Sequence, residues 1–175
     1  MFYLRKLQER VTVEPKFLNK RLKETVKKKL LVEVEGRCTE EWGYIISLIS
    51  VDSLNTTEIE ESTGCATFLA EYSALTLYPK KGEVVSAVVH EINKMGIFCF
   101  VGPFSIFISM YQVPGHFTEA GENSTILPND GGLAIVKGSI LRLRIIGVKI
   151  EPGKIFGIGS INDDYLGTAE QPVNS

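Results

Sequence analysis

A short polar segment, Pro79-Lys80-Lys81-Gly82, separates two stretches of the chain that have different residue patterns. Proline, glycine and charge coincide there after an apolar run, which is typical of a boundary between domains. The 175 residues are enough for one large domain or two small ones, and the apolar content of 44% indicates a folded chain. We therefore predict two domains, residues 1–80 and residues 81–175.

The first stretch predicts a sheet that is covered by one helix. Residues 1–13, 44–51 and 66–78 have strand patterns. Between the first two, apolar residues recur at helical spacing, with Asn19 as the expected N-cap and Gly36 after the last turn. This apolar stripe consists of Leu22, Val26, Leu30, Leu31 and Val34. Because one helix covers only one face of a sheet, the other face is expected to be covered by the second stretch or by another subunit.

Charge is distributed unevenly within the first stretch. Residues 1–37 carry 11 basic and 5 acidic groups, whereas residues 38–80 carry 1 basic and 7 acidic groups. Residues 52–63, which are polar and acidic, are predicted to form an exposed loop. The whole chain has a net charge of −2, which excludes a nucleic-acid binder that works by bulk positive charge. The uneven pattern suits oriented docking onto a charged protein, although ordinary solvated faces would also produce it.

The second stretch predicts a small barrel. Five strand-like runs occupy residues 83–92, 96–101, 105–109, 139–149 and 155–161. A long loop containing Pro, Gly and Asn, residues 111–138, follows the third run. Five strands with one long excursion are typical of a Greek-key barrel of the OB type. Residues 95–118 carry no formal charge, but Gly and Pro divide them into pieces of strand length, so we expect no membrane span.

Two aromatic rings stand out in the second of these runs. Phe98 and Phe100 alternate with smaller apolar residues, so both rings are expected on the same face of the strand. They either fill a small core or form a platform for unpaired bases, which is worth roughly 1–3 kcal/mol per base. In the second case, Phe107 and Tyr111 extend the platform. Phosphate contacts are then expected from Arg142, Arg144, Lys149 and Lys154. So few cations predict modest affinity and a shallow salt dependence.

Patterns of catalytic and metal sites are missing from the sequence. It has no P-loop, no GxGxxG, no GxSxG and no HExxH. The three cysteines lie far apart, and His90 and His116 fall in different segments, so we expect neither a zinc site nor a cofactor. Charges near the N-terminus interrupt the apolar stretch that a signal peptide needs, which predicts an intracellular chain with reduced thiols.

Several short segments, in one order along the chain, carry a resemblance to a known family. They are Met1-Phe2-Tyr3, Glu33-Val34-Glu35-Gly36 with Cys38, Lys81-Gly82-Glu83-Val84-Val85, Asn93-Lys94-Met95-Gly96-Ile97-Phe98, Gly102-Pro103, Phe107-Ile108-Ser109, Gly159-Ser160-Ile161 and Asp164-Tyr165-Leu166-Gly167. Together they resemble the seventh subunit of eukaryotic RNA polymerase II, which has a related counterpart in the archaeal RNA polymerase. The resemblance runs from Met1 to about Gly167.

That resemblance implies an α+β N-terminal truncated-RNP-like domain, the tip domain, followed by an all-β OB-fold barrel of the S-one type. It also implies a non-catalytic nuclear subunit of DNA-directed RNA polymerase II. Such a subunit forms a stalk heterodimer with the fourth subunit and docks on the largest core subunits near the clamp and the RNA exit channel. It supports transcription initiation and binds nascent single-stranded RNA, without a cofactor.

The resemblance also implies site residues. The ring that follows Lys94-Met95-Gly96, which is Phe98, and the position of Phe107 fall where such barrels present side chains to nucleic acid, and we add Lys94 to the expected RNA-binding set. Residues 55–64 match the tip-domain loop that meets the polymerase core. The docking residues expected there are Leu54, Asn55, Thr56, Glu58, Ile59, Glu60, Glu61 and Gly64.

Other interpretations remain open at this point. One is the equivalent stalk subunit of another nuclear polymerase. Another is a free-standing OB-fold RNA-binding module of the exosome or translation type, which needs no partner for its half-covered sheet. The third is a purely structural adaptor that makes no contact with RNA.

Overall fold

The chain divides into two compact units, Met1–Tyr78 and Pro79–Ser175. A computed structural model describes residues 1–118, 125–128 and 133–170. The sheet of the first unit is antiparallel, that of the second contains one parallel pair, and only the first unit contains an α-helix among the described residues. The predicted succession of an α+β domain and an all-β barrel of the OB type is confirmed.

The first unit is a four-stranded sheet with one helix. Its elements are β1 (Phe2–Val13), a short 3-10 helix (Pro15–Phe17), α1 (Leu22–Val34), β2 (Cys38–Thr39), β3 (Gly43–Ile59) and β4 (Ala66–Leu77). The strand order is β1-β4-β3-β2, and all neighbours are antiparallel. The buried face of α1 packs on one face of this sheet, where it forms a core with side chains of β1, β3 and β4.

The helix follows the predicted apolar stripe but begins later than predicted. Val26, Leu30 and Val34 are buried, and the chain leaves the helix through Gly36, whose φ of +81° favours glycine. The predicted N-cap, Asn19, is wrong, because the helix starts at Leu22 after Arg21. The Asn19 side-chain oxygen instead accepts a hydrogen bond of 2.8 Å from the Arg21 backbone N–H, which closes a turn before the helix.

The prediction of a loop at residues 52–63 is also wrong for its first part, residues 52–59, which belong to a strand. β3 continues to Ile59 and pairs with β4 from Tyr44 opposite Leu77 to Ile59 opposite Ala66. From Asn55 onwards every side chain of β3 is exposed, so the sequence there has no alternation of apolar and polar residues. Hydrogen bonds to the β4 backbone hold this part of the strand, and they leave no trace in the local residue pattern. The result is a long β3–β4 hairpin.

The second unit is built around a closed barrel. Its elements are β5 (Val84–Asn93), β6 (Gly96–Val101), β7 (Phe104–Ser109), a 3-10 helix (Met110–Gln112), β8 (Gly115–Thr118), β9 (Thr125–Pro128), β10 (Ile140–Glu151), β11 (Lys154–Ser160) and β12 (Gly167–Glu170). The barrel order is β5-β6-β7-β11-β10, and β10 closes it by pairing with β5. The β7–β11 pair is parallel, and β12 adds to β10.

The predicted loop at residues 111–138 contains ordered structure. β8 and β9 form an antiparallel pair, and Ile126 of β9 bridges to Ile135. Both isoleucines are fully buried, so this excursion contributes to the apolar interior of the unit. Residues 119–124 and 129–132 of the predicted loop lie outside the described residues.

Two further expectations bear on membranes and metals. No helix in the described part of the chain has the length and apolar character needed to cross a membrane. Within residues 1–118, 125–128 and 133–170, the structure brings together no group of three or more His, Cys, Asp or Glu side chains that could hold a metal ion.

Candidate nucleic-acid interface

A groove of about 720 Å³ runs along the outer surface of the barrel, across β6, β7, β11 and the end of β10. Its lining is mostly apolar. Four aromatic rings dominate it, those of Phe98, Phe100, Phe107 and Phe156. Two lysines, Lys149 and Lys154, are the charged side chains in its lining. An apolar floor with cations at one side is suited to a ligand that has both flat apolar and anionic parts.

Phe98 and Phe107 form the first row of the groove. They face each other across β6 and β7, and their ring centroids are 5.0 Å apart with planes inclined by 47°. This lies in the range of favourable aromatic pairs. Ile97 and Ile108, their chain neighbours, are fully buried in the barrel interior. Because strand side chains alternate between faces, burying these isoleucines turns both rings outward.

The second row has a serine at its centre. Phe100 of β6 lies opposite Ser105 of β7, and Ser105 lies beside Phe156 of β11 in the parallel register. Both rings remain 39% exposed. Lys149 of β10 lies opposite Phe156 and continues the same row. The row therefore offers two rings, one hydroxyl and one ammonium group in sequence across the sheet.

Two residues of this groove, Phe156 and Ile158, were not predicted from the sequence. Both are at least 39% exposed and line the groove from β11. The sequence signal that could have identified them is strand alternation, because Phe156 and Ile158 alternate with the inward positions Ile155 and Gly157. A Cβ atom at Gly157 would lie 2.5 Å from the ring of Phe104, so only glycine lets β11 approach the barrel core there.

The structure brings together only part of the predicted RNA-binding set. Phe98, Phe100, Phe107, Lys149 and Lys154 all line the groove. The other four predicted residues do not line it, namely Lys94, Tyr111, Arg142 and Arg144.

These four residues lie on other parts of the unit. Lys94 occupies the turn between β5 and β6, and Tyr111 belongs to the 3-10 helix after β7 rather than to the strand, with its side chain 96% exposed. Arg142 and Arg144 lie on the first half of β10, where it pairs with β5. The Arg144 guanidinium is 2.8 Å from the Asp163 carboxylate, which offsets its charge.

The predicted docking residues lie together at the outer end of the β3–β4 hairpin. Its turn is closed by backbone hydrogen bonds between Glu60 and Cys65, 2.9 Å, and between Gly64 and Glu60, 2.7 Å. The Thr63 hydroxyl donates a hydrogen bond of 2.7 Å to the Glu60 carboxylate. Glu58 and the other acidic side chains of this turn are exposed. The hairpin therefore presents an ordered acidic end that extends beyond the core of the first unit.

Comparison with known proteins places this arrangement among transcription proteins. The family model described as "SHS2 domain found in N terminus of Rpb7p/Rpc25p/MJ0397" matches residues 8–64. DNA-directed RNA polymerase II subunit 7 of Arabidopsis thaliana is 35% identical over 174 residues, which cover 99% of each chain. Subunit RPB7 of Saccharomyces cerevisiae is 35% identical over 170 residues, 95% of this chain and 99% of the relative. RNA polymerase V subunit 7 of Arabidopsis thaliana is 31% identical over 150 residues, 81% of this chain and 84% of the relative.

Proposed function

The chain belongs to the family of DNA-directed RNA polymerase II subunit 7, and we propose that it is a non-catalytic stalk subunit of nuclear RNA polymerase II. The observation that carries the proposal is the extent of the similarity to the polymerase II subunits, which covers both units of the chain. The polymerase V relative matches over a smaller share of the chain, which favours polymerase II over polymerase V. In this role the chain supports transcription initiation.

The proposed partner within the stalk is the fourth subunit of RNA polymerase II. An exposed apolar area at the start of β1 supports a protein partner there. Phe2 and Leu4 lie on the sheet face that is turned away from α1, and they are 54% and 69% exposed. Neighbouring apolar side chains on an open sheet face are typical of surfaces that a second protein covers.

Recovery of partners from native extract tests the assignment. A tagged full chain is expected to bring down the fourth subunit and the largest subunits of RNA polymerase II. Recovery of the largest subunits of another nuclear polymerase would assign the chain to that enzyme instead. A well-behaved monomer that recovers no polymerase subunit would favour the free-standing RNA-binding module.

The β3–β4 hairpin is the proposed contact with the polymerase core near the clamp. Changing Glu58, Glu60 and Glu61 to Lys is expected to reduce recovery of the largest subunits by about tenfold, because reversed charges at a complementary interface repel. Pairing with the fourth subunit is expected to persist. The matched control changes Glu24, Glu33 and Glu40 to Lys, which alters the net charge equally at exposed positions outside the hairpin. Equal recovery by the two triple variants would contradict a docking role.

The barrel groove is the proposed site for nascent single-stranded RNA. Unpaired bases gain roughly 1–3 kcal/mol each by stacking on aromatic side chains. Phe98→Ala combined with Phe107→Ala is therefore expected to weaken binding of a fluorescent oligouridine by about 10- to 100-fold in an anisotropy titration of the full chain. Tyr111→Ala removes an exposed ring outside the groove and serves as the matched control. Unchanged RNA affinity of the double variant would support the purely structural adaptor.

A further inference from the structure

Three charged residues lie together at the end of the groove where β10 turns into β11. Lys149 and Glu151 are two residues apart on β10, so their side chains share one face of the strand. The Lys149 Nζ atom lies 2.6 Å from the Glu151 Oε1 atom. Lys154 of β11 is directly opposite Glu151 in the strand register. One carboxylate is thus adjacent to both cations that line the groove.

The carboxylate changes what these cations can offer a ligand. A hydrogen bond and the positive charge of Lys149 lower the pKa of Glu151, and the same contact raises the pKa of Lys149. Lys154 adds a weaker attraction to Glu151. Glu151 therefore stays ionised near neutral pH. It neutralises one of the two groove cations and would repel an approaching phosphate group.

Among the described residues, the rest of the groove lining supplies no further charge. The remaining side chains of its lining are apolar apart from Ser105, and Arg144 is engaged by Asp163 outside it. A polyanion held in this groove would depend on Lys149 and Lys154 for its phosphate contacts. The state of the Lys149–Glu151 pair then decides whether one phosphate contact or two can form.

We infer that Glu151 weakens the contacts between the groove lysines and RNA phosphates, so that single-stranded RNA is bound there mainly through its bases. This inference rests on the proposed RNA-binding function of the groove. Lys149 contacts a phosphate only when it leaves Glu151, whereas base stacking on the rings is unaffected by the pair. Weak phosphate contacts suit an RNA chain that must move past the site as it grows.

The dependence of RNA affinity on salt concentration measures how many phosphate contacts the groove lysines make. For single strands, the logarithm of the binding constant falls with the logarithm of the salt concentration, with a slope of about −0.7 per phosphate contact. With Lys149 held by Glu151, we expect a slope of about −0.7, since Lys154 alone contributes. With Lys149 released, we expect a slope of about −1.4.

Glu151→Gln tests the inference in the full chain. The probe is a fluorescent twelve-residue oligouridine, titrated by anisotropy over a series of sodium chloride concentrations. The variant is expected to bind about two- to fivefold more tightly at low salt, the range of an exposed ion pair, and to show the steeper slope. Asp164→Asn is the matched control, because it changes the net charge equally at an exposed residue of the same unit that does not line the groove.

A double-variant cycle separates the ion pair from simple repulsion. If Glu151 acts through Lys149, Glu151→Gln gives no gain in affinity when Lys149→Gln is already present. An equal gain in both backgrounds would overturn the inference, as would an unchanged affinity of Glu151→Gln itself.

The two proposals fail in different ways. If Phe98→Ala with Phe107→Ala weakens RNA binding but Glu151→Gln changes neither affinity nor slope, only the role of Glu151 is overturned. If the phenylalanine changes have no effect on RNA binding, the groove does not bind RNA and the inference falls with it. Binding of an apolar peptide in the groove, in place of RNA, would then identify the groove as a protein-docking site.

Discussion

The open sheet face of the first unit and the barrel groove of the second differ in how their side chains are satisfied. On the sheet face turned away from α1, Glu71 accepts hydrogen bonds of 2.8 Å from Gln8 and from Ser53. Asp52 accepts one of 2.7 Å from Ser73. These polar side chains, the polar rows of the open face, form hydrogen bonds with one another within the same sheet, so they need no ligand as a hydrogen-bond partner.

The groove, in contrast, leaves apolar surface uncovered even though Phe98 contacts Phe107 and the Phe100 ring contacts His90. Phe100 and Phe156 flank Ser105 and remain 39% exposed, although a barrel interior lies directly beneath them. Covering such rings with a flat apolar group removes their surface from water and gains stacking energy. In the groove, unlike the acidic hairpin end of the first unit, a binding surface is indicated by the apolar area that the fold leaves uncovered rather than by charge.

The largest effect is expected from two phenylalanines of the same strand, β7. Phe104 is fully buried in the barrel, whereas Phe107 lies in the outer groove. Phe104→Ala is expected to lower the free energy of unfolding by about 3–5 kcal/mol, because it leaves a cavity in the core. Phe107→Ala is expected to cost less than about 2 kcal/mol, since solvent can fill its place.

The single tryptophan of the chain separates the two units in this measurement. Trp42 belongs to the first unit, so its fluorescence follows unfolding of that unit, whereas circular dichroism follows both. We expect Phe104→Ala to shift the circular dichroism transition in urea more than the fluorescence transition. Similar costs for Phe104→Ala and Phe107→Ala would contradict the distinction between core and groove.

A smaller contrast between the two units is expected in the reactivity of Cys65 in the first and Cys99 in the second. Burial in the barrel raises the pKa of the Cys99 thiol to about 12, whereas Cys65 is partly exposed beside the hairpin turn. At pH 8 we expect Cys99 to react with a disulfide reagent at least about 100-fold more slowly than Cys65, because the thiolate is the reactive form.

Removing the exposed thiol provides the control. Cys65→Ser is expected to abolish the fast phase of the reaction and leave the slow phase intact. Fast modification of Cys99 in the absence of denaturant would mean that the barrel opens readily, and would weaken the view that it is a rigid support for the groove.

The smallest effect concerns the polar rows of the first unit. Hydrogen bonds from Ser50 and Ser73 hold the pKa of Asp52 below its ordinary value of 3.8. Because this pKa is lower in the folded state than in the unfolded state, Asp52 contributes stability above pH 3.8 that is lost as the pH falls through the folded-state value. Asp52→Asn is expected to lower the Trp42 unfolding midpoint slightly at pH 7 and to reduce its loss in acid.

Asp164→Asn, in the second unit, is the control for that measurement and is expected to leave the Trp42 transition unchanged. An Asp52→Asn midpoint that falls in acid as steeply as the wild-type midpoint would show that other carboxyl groups dominate the acid sensitivity of the first unit.

Sequence patterns predicted the elements whose alternation or helical spacing is strong. The stripe around Val26 and Leu30 located the helix, and the five strand-like runs located the barrel strands. Phe98 and Phe100 were placed on one face by the period of a strand. Prediction failed where apolar residues no longer alternate, as in the exposed half of β3. It also failed where short pairings lie within a stretch that contains Pro, Gly and Asn, as between β9 and Ile135.

The candidate groove was predictable in part for the same reason. Phe107 and the two lysines were named from residue type and strand position, but the sequence carries no measure of which strands lie side by side. The parallel pairing of β11 with β7 brings Phe156 and Ile158 into the groove. The same barrel closure carries Arg142 and Arg144 away from it, beside β5.

By itself the sequence determined the strand faces, the helix and the family, because side-chain periodicity and short ordered motifs are local properties of the chain. Only the tertiary structure decided which outward side chains meet in one groove, and that the Lys149–Glu151 pair lies at its end. Those neighbours are brought together by strand pairings across the closed barrel, whose register depends on hydrogen bonds and packing between segments far apart in sequence.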